Sequence, residues 1–142
     1  MEIVEQHILA DSQISETQEL MKQLSPNIDV TSEMLLRAVE SPNTHFFTLV
    51  EDGHILGCVS FCVFESPTGR KGSVEDVVVS FQHRGKGLGR KLMEHVIDYA
   101  KKEYAPIDLH LTSNPKRVNA NALYKAVGFE QRGTNVYKME IG

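Results

Sequence analysis

One segment of the chain concentrates residues suited to binding an anion. Residues 82–89 read Gln-His-Arg-Gly-Lys-Gly-Leu-Gly, after a run of three valines and before an amphipathic stretch. Glycines at alternate positions allow a tight turn and leave backbone amides open to close approach. A helix beginning here adds about half a positive charge at its N-terminus. Four basic side chains in and just after the segment add full charges, so the segment predicts a phosphate- or pyrophosphate-binding loop.

Two common phosphate-binding motifs do not match this spacing. A dinucleotide-binding fingerprint has Gly-x-Gly-x-x-Gly, whereas the segment has Gly-x-Gly-x-Gly. A P-loop has Gly-x-x-x-x-Gly-Lys followed by Ser or Thr for Mg²⁺, but here Lys91 is followed by Leu92. On the residues alone, a tight connection with solvated basic side chains and no ligand remains an alternative.

The loop and its surroundings resemble the GNAT superfamily of N-acetyltransferases. Gln82-x-x-Gly85-x-Gly87 resembles the acetyl-CoA-binding signature of that superfamily, and Leu123-Tyr124-x-x-x-Gly128-Phe129 is similar to its penultimate motif. The resemblance is strongest over residues 73–130. It implies a V-shaped split between the strand that ends near Ser80 and the strand that starts at Ile107, with acetyl-CoA, the co-substrate, bound in that split. The cofactor-binding residues that the resemblance implies are Val77, Val78, Val79, Gln82, Arg84, Gly85, Lys86, Gly87, Leu88 and Gly89.

The resemblance also implies two catalytic residues, Glu75 and Tyr124. Acetyl transfer to an amine needs a neutral amine, a stabilised oxyanion and a protonated leaving thiolate. In some members a Glu at about the place of Glu75 is the base, and Tyr124 stands where the thiolate-protonating Tyr lies. Strand alternation puts Asp76 opposite to Glu75, so we expect only one of the two carboxylates to face the substrate. The alternatives are a carboxylate held by backbone or Arg, and a core tyrosine.

Two further positions near the motifs stay open. Superfamily members often carry Asn seven residues before the Tyr, but this chain has Arg117 there. Asn114, Asn119 and Asn121 are nearby, and the sequence does not decide whether any of them contacts the cofactor. His83 adjoins the loop and is either a phosphate contact or an ordinary surface histidine.

The elements around these residues predict an α/β (or α+β) fold. Asp52-Gly53 between two apolar runs predicts a hairpin, and its second strand is apolar on both faces, as in a central strand covered by helices. Apolar alternation predicts a strand over 107–112, Asn114-Pro115 predicts the start of the last helix, and 129–141 predicts a strand pair or one bent strand. We therefore expect one N-acetyltransferase domain over residues 1–142, with a single mixed, mostly antiparallel sheet, helices on both faces and splayed central strands.

Composition limits the classes of function. The chain has 142 residues, and 41% of them are apolar, which together with the small net charge of −4 argues against intrinsic disorder. The negative sign of the net charge argues against a nucleic-acid-binding surface. No stretch approaches the ~20 apolar residues of a membrane helix. Cys58 and Cys62 lack the spacing of metal ligands, so no metal is expected, and two buried free thiols without an export signal suggest the cytoplasm.

We therefore expect an acetyl-CoA-dependent N-acetyltransferase that acetylates a primary amine of a small molecule or peptide by direct attack. The first two helices, their connection (Ser25 to Thr31) and the last strand pair would shape the acceptor site, and they hold no specific motif. An aminosugar-phosphate N-acetyltransferase, which the cofactor half also resembles, is one alternative. A non-catalytic acyl-CoA-binding sensor with the same fold is another. Sheet edges are possible pairing surfaces, and a homodimer is expected.

Overall fold

The computed structural model describes residues 1–142, which form two compact units, Met1–Thr112 and Ser113–Gly142. The first unit holds a five-stranded sheet in the order β1-β2-β3-β4-β5, in which the first three pairings are antiparallel and the last is parallel. The predicted mixed, mostly antiparallel sheet is confirmed. The elements in chain order are β1 (Glu2–Glu5), α1 (Asp11–Leu24), α2 (Ser32–Glu40), β2 (Thr44–Glu51), β3 (His54–Ser66), β4 (Gly69–Val79), a 3₁₀ turn (Phe81–His83), α3 (Leu88–Glu103), β5 (Asp108–His110) and α4 (Val118–Ala126).

Helices cover both faces of the sheet, as the two apolar faces of β3 predicted. On one face, hereafter the α1–α2 face, Leu20 of α1 and Leu35 of α2 pack in a cluster with Phe46 and Cys58. On the other face, the ring of Tyr99 of α3 lies 5.1 Å from that of Phe47 and 6.4 Å from that of Phe61. Alternate residues of each strand therefore enter two different cores.

The β2–β3 hairpin turns at the predicted position. Asp52 and Gly53 have φ values of +51° and +80°, so both central residues are left-handed. Two left-handed residues define the type I′ turn, whose twist matches that of the flanking strands. Asp-Gly is a preferred sequence for this turn, so this feature follows from the local sequence alone.

The predicted split between β4 and β5 is confirmed. The two strands pair only over Lys71–Ser73 with Asp108–His110, and β5 is shorter than the predicted 107–112. Beyond Ser73, the edge of β4 that faces away from β3 has no strand neighbour as far as Val79. Backbone groups along that edge are therefore available to an extended ligand.

A β-bulge interrupts β4 within the segment that carries the two carboxylates. Cys58 of β3 pairs with Val78, but Ser60, two residues on, pairs with Glu75, three residues back. The extra residue places Asp76 at φ +53°, one of two non-glycine residues with positive φ. A bulge breaks the two-residue alternation of a strand. The sequence-based placement of Glu75 and Asp76 on opposite faces assumed unbroken alternation, and the bulge overturns it.

The second unit departs from two expectations. α4 begins at Val118 rather than at Asn114-Pro115, because the Asn114 Oδ1 atom accepts the amide of Lys116 at 2.9 Å and closes a turn before the helix. Residues 129–141 form no strand. Apolar side chains of this tail, such as Tyr137 and Ile141, are exposed, and the tail has no hydrogen-bonded strand neighbour, without which an extended segment is not stable.

None of the helices has both the length and the apolar composition that crossing a membrane would require.

Candidate active site

The glycine loop between β4 and α3 has the conformation expected of an anion-binding loop. Gly85 and Gly87 have φ values of +81° and +75°, and a Cβ atom built on either would meet no atom within 4 Å. Gly87 is the N-cap residue of α3 and provides no side-chain cap. The first backbone bond of the helix runs from Lys91 N to Gly87 O, so the amides of residues 88–90 have no partner within the helix. Open space therefore lies over a row of unsatisfied donors.

The four basic residues around the loop divide into two pairs. Arg84 donates from Nε to the carbonyl of Val79 at 3.0 Å, and its guanidinium lies 4.0 Å from the ring centre of Phe81. Arg90 pairs with Glu94, four residues on, at 2.5 Å. Lys86 and Lys91 are exposed and take part in no ion pair. These two lysines are therefore the cations free to meet an anionic ligand, whereas Arg84 fastens the loop to the end of β4.

Glu75 and Asp76 lie on the same side of the sheet. Glu75 pairs in register with Ser60, and its Oε1 atom accepts the Ser73 hydroxyl at 2.6 Å. Asp76 lines a cavity that Ser60 also lines. Burial raises the pKa of the Asp76 carboxyl, and the Glu75 carboxylate raises it further. The expectation that only one carboxylate faces this side is therefore wrong, and Asp76 joins Glu75 as a candidate site residue.

The cavity beside Asp76 is apolar and lies between the sheet and the first two helices. Its volume is about 140 Å³. It is lined by Met21 of α1, by Val30 of the α1–α2 connection, by Met34, Leu35, Ala38 and Val39 of α2, and by Phe46, Ser60 and Asp76 of the sheet. The sequence predicted an acceptor region at these helices but none of these lining residues, because the pattern around Met21 and Phe46 indicated only core positions.

A second, larger cavity of about 580 Å³ lies between α1, the β2–β3 turn and the segment after β4. Its ionisable lining residues are the acids Glu16, Glu19, Glu51 and Asp52 and the histidines His54 and His83. His83 Nδ1 is buried without a hydrogen-bond partner. Gln82, one of the predicted cofactor-binding residues, also lines this cavity.

The two cysteines are free, as expected, and lie near the carboxylates. Cys58 is buried, and its thiol donates to the backbone oxygen of Asp76 at 3.8 Å. Cys62 is half-buried and lies 3.8 Å from the Thr44 hydroxyl. Burial is the main reason why the pKa of Cys62 is raised; Thr44 opposes the shift, and Glu75 and Asp76 add to it. Both thiols therefore stay protonated at neutral pH and are poor nucleophiles.

Tyr124 belongs to the second unit, where it is the buried residue of α4. Its ring lies 6.4 Å from that of Phe129, and its carbonyl accepts the Phe129 amide at 3.0 Å, which closes the helix after Gly128. Asn121 Nδ2 donates to the carbonyl of Asn114 at 3.1 Å, so these two asparagines are engaged with each other. Asn119 is exposed and makes no side-chain bond of its own.

No group of three or more His, Cys, Asp or Glu side chains is arranged to hold a metal ion.

Comparison with known proteins places these features in one family. The family model described as acetyltransferase (GNAT) family matches residues 8–129. Streptothricin acetyltransferase from Streptomyces lavendulae is 36% identical over 86 residues, which cover 59% of this chain and 43% of that protein. Glucosamine 6-phosphate N-acetyltransferase from Arabidopsis thaliana is 33% identical over 93 residues, which cover 58% of this chain and 62% of that protein. The chain thus spans less than two thirds of the length of these relatives.

Solved structures with the same fold cover the chain almost completely. One from Agrobacterium tumefaciens has a TM-score of 0.85 at 19% identity and covers 99% of this chain and 100% of its own. An aminoglycoside N-acetyltransferase in complex with CoA has a TM-score of 0.76 at 15% identity and covers 98% of this chain and 93% of its own. At these identities the likeness establishes the fold, in agreement with the fold class that the sequence predicted.

Proposed function

The chain belongs to the acetyltransferase (GNAT) family, and we propose that it is an acetyl-CoA-dependent N-acetyltransferase that acetylates a primary amine by direct attack. The observation that carries the proposal is a juxtaposition on one strand. The free edge of β4 leads into the glycine loop at one end, and the bulge presents two carboxylates within the same strand. An extended anionic donor and a cationic acceptor would each find complementary groups there.

The residues of the loop fit the diphosphate and pantetheine parts of acetyl-CoA. The open space over Gly85 and Gly87 admits phosphate oxygens to the unsatisfied amides at the start of α3. Lys86 and Lys91 supply charge that no carboxylate neutralises. The backbone of Val77 and the amide of Val79 would bind the pantetheine amides along the free edge of β4. The backbone of Val78 is directed toward Cys58 of β3, and the Val79 carbonyl already accepts a bond from Arg84. Acetyl-CoA supplies the activated thioester carbonyl that the amine attacks.

Three side chains take the proton-transfer and binding roles in the proposal. Glu75 would take the proton that the acceptor ammonium must lose before its nitrogen can attack. Asp76, the next residue and on the same side, would hold the cationic form of the acceptor in place. Tyr124 would donate a proton to the leaving sulfur as the carbon–sulfur bond breaks. Protonated Cys58 and Cys62 are consistent with transfer in one step without an acetylated cysteine.

An aminosugar-phosphate acceptor, favoured by the relative from Arabidopsis thaliana, is the second candidate. A phosphorylated substrate needs cationic or amide donors near its phosphate. Neither the 140 Å³ cavity nor the 580 Å³ cavity has a Lys or Arg in its lining, and both contain carboxylates. The surroundings therefore favour an uncharged or cationic acceptor over an anionic one. A non-catalytic acyl-CoA-binding sensor is the third candidate. Release of free thiol from acetyl-CoA in the presence of an amine would exclude it.

The test pairs two variants with a matched control. Tyr124→Phe removes only a hydroxyl, so kcat should fall by about 10²–10⁴ while acetyl-CoA still raises the Tm. Glu75→Gln should remove the acidic limb of the pH–rate profile. Tyr137→Phe, at an exposed tyrosine of the tail, should change neither quantity. Thiol release from acetyl-CoA measures turnover. Normal turnover in Tyr124→Phe would assign that side chain to packing alone.

The domain boundaries and the oligomeric state stay predictions. We propose a single catalytic domain over residues 1–142, because the family match at 8–129 includes parts of both compact units. A homodimer remains an expectation for which sedimentation is the direct measurement.

A further inference from the structure

Resting on the proposed function, we infer that the acceptor is a hydrophobic monoamine, a primary amine on an alkyl or arylalkyl group of about six carbons. The apolar group would fill the 140 Å³ cavity under α1 and α2, and the ammonium would bind the Asp76 carboxylate. Nothing in the family match or in the names of the relatives specifies such an acceptor.

The lining of the cavity is the first argument. Seven of its nine residues are apolar, and they come from four separate segments of the chain: Met21, Val30, the group Met34, Leu35, Ala38 and Val39, and Phe46. The only other members are Ser60 and Asp76. A cavity of this composition gains free energy by covering carbon and loses it by burying hydroxyl groups that find no partner. Sugars and aminoglycosides are therefore poor occupants.

The size of the cavity is the second argument. An apolar protein cavity of about 150 Å³ accommodates a benzene molecule, so 140 Å³ accommodates about six carbon atoms. The two methionines in the wall, Met21 and Met34, have flexible thioether side chains that adapt to ligands of slightly different shape. The volume therefore sets an upper limit on chain length more strictly than on branching.

The position of the single charge is the third argument. Asp76 is the only ionisable residue of the lining; the residue reaches solvent, but neighbouring groups bury its carboxyl enough to raise the pKa, so it lies at the mouth of the cavity. The bulge at φ +53° holds its backbone in this place. A ligand with one ammonium at the end of an apolar group matches one carboxylate at the mouth of an apolar cavity. Glu75, the proposed base, directly precedes Asp76 on β4 and lies on the same side of the sheet, so the bound nitrogen would be near it.

The experiment measures kcat/KM for the series ethylamine to octylamine, with phenethylamine, spermidine and glucosamine 6-phosphate for comparison. Each methylene buried is worth about fourfold, so kcat/KM should rise roughly 200-fold from ethylamine to hexylamine and level off or fall at octylamine. Spermidine and glucosamine 6-phosphate should be the weakest substrates. A flat series, or glucosamine 6-phosphate above hexylamine, would overturn the inference.

Two variants separate the cavity from the charge. Ala38→Phe adds a ring to the cavity wall, so it should lower the ratio of kcat/KM for hexylamine to that for ethylamine at least 30-fold. Leu36→Phe places the same ring on α2 at an exposed residue outside the lining, and it should leave that ratio unchanged. Asp76→Asn should lower kcat/KM for every amine of the series by a similar factor, because Asn tolerates positive φ and the substitution removes only the charge. Met34→Trp replaces Ala38→Phe if that variant fails to fold.

Titration of hexylamine into the protein without acetyl-CoA distinguishes failure of this inference from failure of the proposed function. If no amine is acetylated but hexylamine binds, and Ala38→Phe weakens the binding, the cavity assignment holds while the catalytic proposal fails. If amines are acetylated and chain length has no effect, the catalytic proposal holds and the cavity assignment fails. Absence of both binding and chain-length dependence rejects the cavity as an amine site.

Discussion

Replacement of Gly87 offers the sharpest test of the cofactor loop. Gly87→Val adds a branched side chain at φ +75°, at the N-cap of α3 and over the open space that we assign to phosphate. Gly53→Val adds the same side chain at φ +80° in the β2–β3 turn, where a Cβ also meets no atom within 4 Å. The two substitutions impose the same kind of backbone strain, but only one of them lies at the proposed site.

The expected magnitudes follow from strain and from ligand linkage. A non-glycine residue forced into the left-handed region costs about 1–3 kcal/mol. For a chain of this size, 1 kcal/mol corresponds to roughly 4 °C in Tm, so both variants should melt about 4–12 °C below the wild type without ligand. Acetyl-CoA at 100 times its Kd stabilises the folded wild type by about 2.7 kcal/mol, a rise of roughly 10 °C.

Differential scanning fluorimetry with and without acetyl-CoA reads both effects in one assay. Gly53→Val should keep the full rise of roughly 10 °C from its lowered baseline. Gly87→Val should show almost none, because the valine side chain occupies the space through which phosphate reaches the amides. A full ligand-induced rise in Gly87→Val would refute the reasoning and place the phosphates elsewhere. Equal loss in both variants would assign the effect to general destabilisation.

Two further predictions concern stability. Gly72→Ala should lower the free energy of unfolding by about 1–3 kcal/mol in denaturant titrations, because the added Cβ would overlap the ring of Phe61 and lie 2.9 Å from Leu109 Cδ2, whereas Gly133→Ala, which meets nothing within 4 Å, should have little effect. Asp76→Asn should raise the Tm at pH 7, because the pKa of Asp76 is raised from 3.8 by burial and by Glu75. A raised carboxyl pKa means that the folded state binds the extra proton, so stability falls as pH rises through the folded-state pKa, and the advantage of Asn should vanish as pH drops toward 3.8. An advantage of Asn that grows on acidification would contradict this sign.

Structural features that depend on only a few neighbouring residues could be predicted from the sequence. Asp52-Gly53 specifies its turn because both residues accept positive φ more readily than others. The alternate glycines of the loop identify an anion-binding connection, since their amides and the helix N-terminus lie within eight residues of each other. The helical period of apolar residues in α3 and the apolar residues on both faces of β3 predicted that helices cover both faces of the sheet. Periodicity shows directly which face of an element is buried.

The tail and the last helix show where local patterns were insufficient. Residues 129–141 have an extended-looking pattern, but a strand needs a neighbour, and pairing is a property of the tertiary structure. Asn114 has the residue type of a helix cap, yet its side chain closes a turn that ends before α4 begins. Turn and cap draw on the same short side-chain bond, so composition alone does not distinguish them.

The candidate acceptor site depended on the tertiary structure. The positions of Glu75 and Asp76 follow from a register shift between β3 and β4, which no feature of β4 alone reveals. Only the structure shows that Arg84 bonds to the Val79 carbonyl and that Arg90 pairs with Glu94. The two lysines of the loop are therefore the cations left for an anionic ligand. The sequence by itself determined the loop and the layers, because these arise from local conformation and periodicity, and it indicated the family through the resemblance of its motifs. The apolar cavity and its single charge arise from segments distant in the chain, and only their packing brings them together.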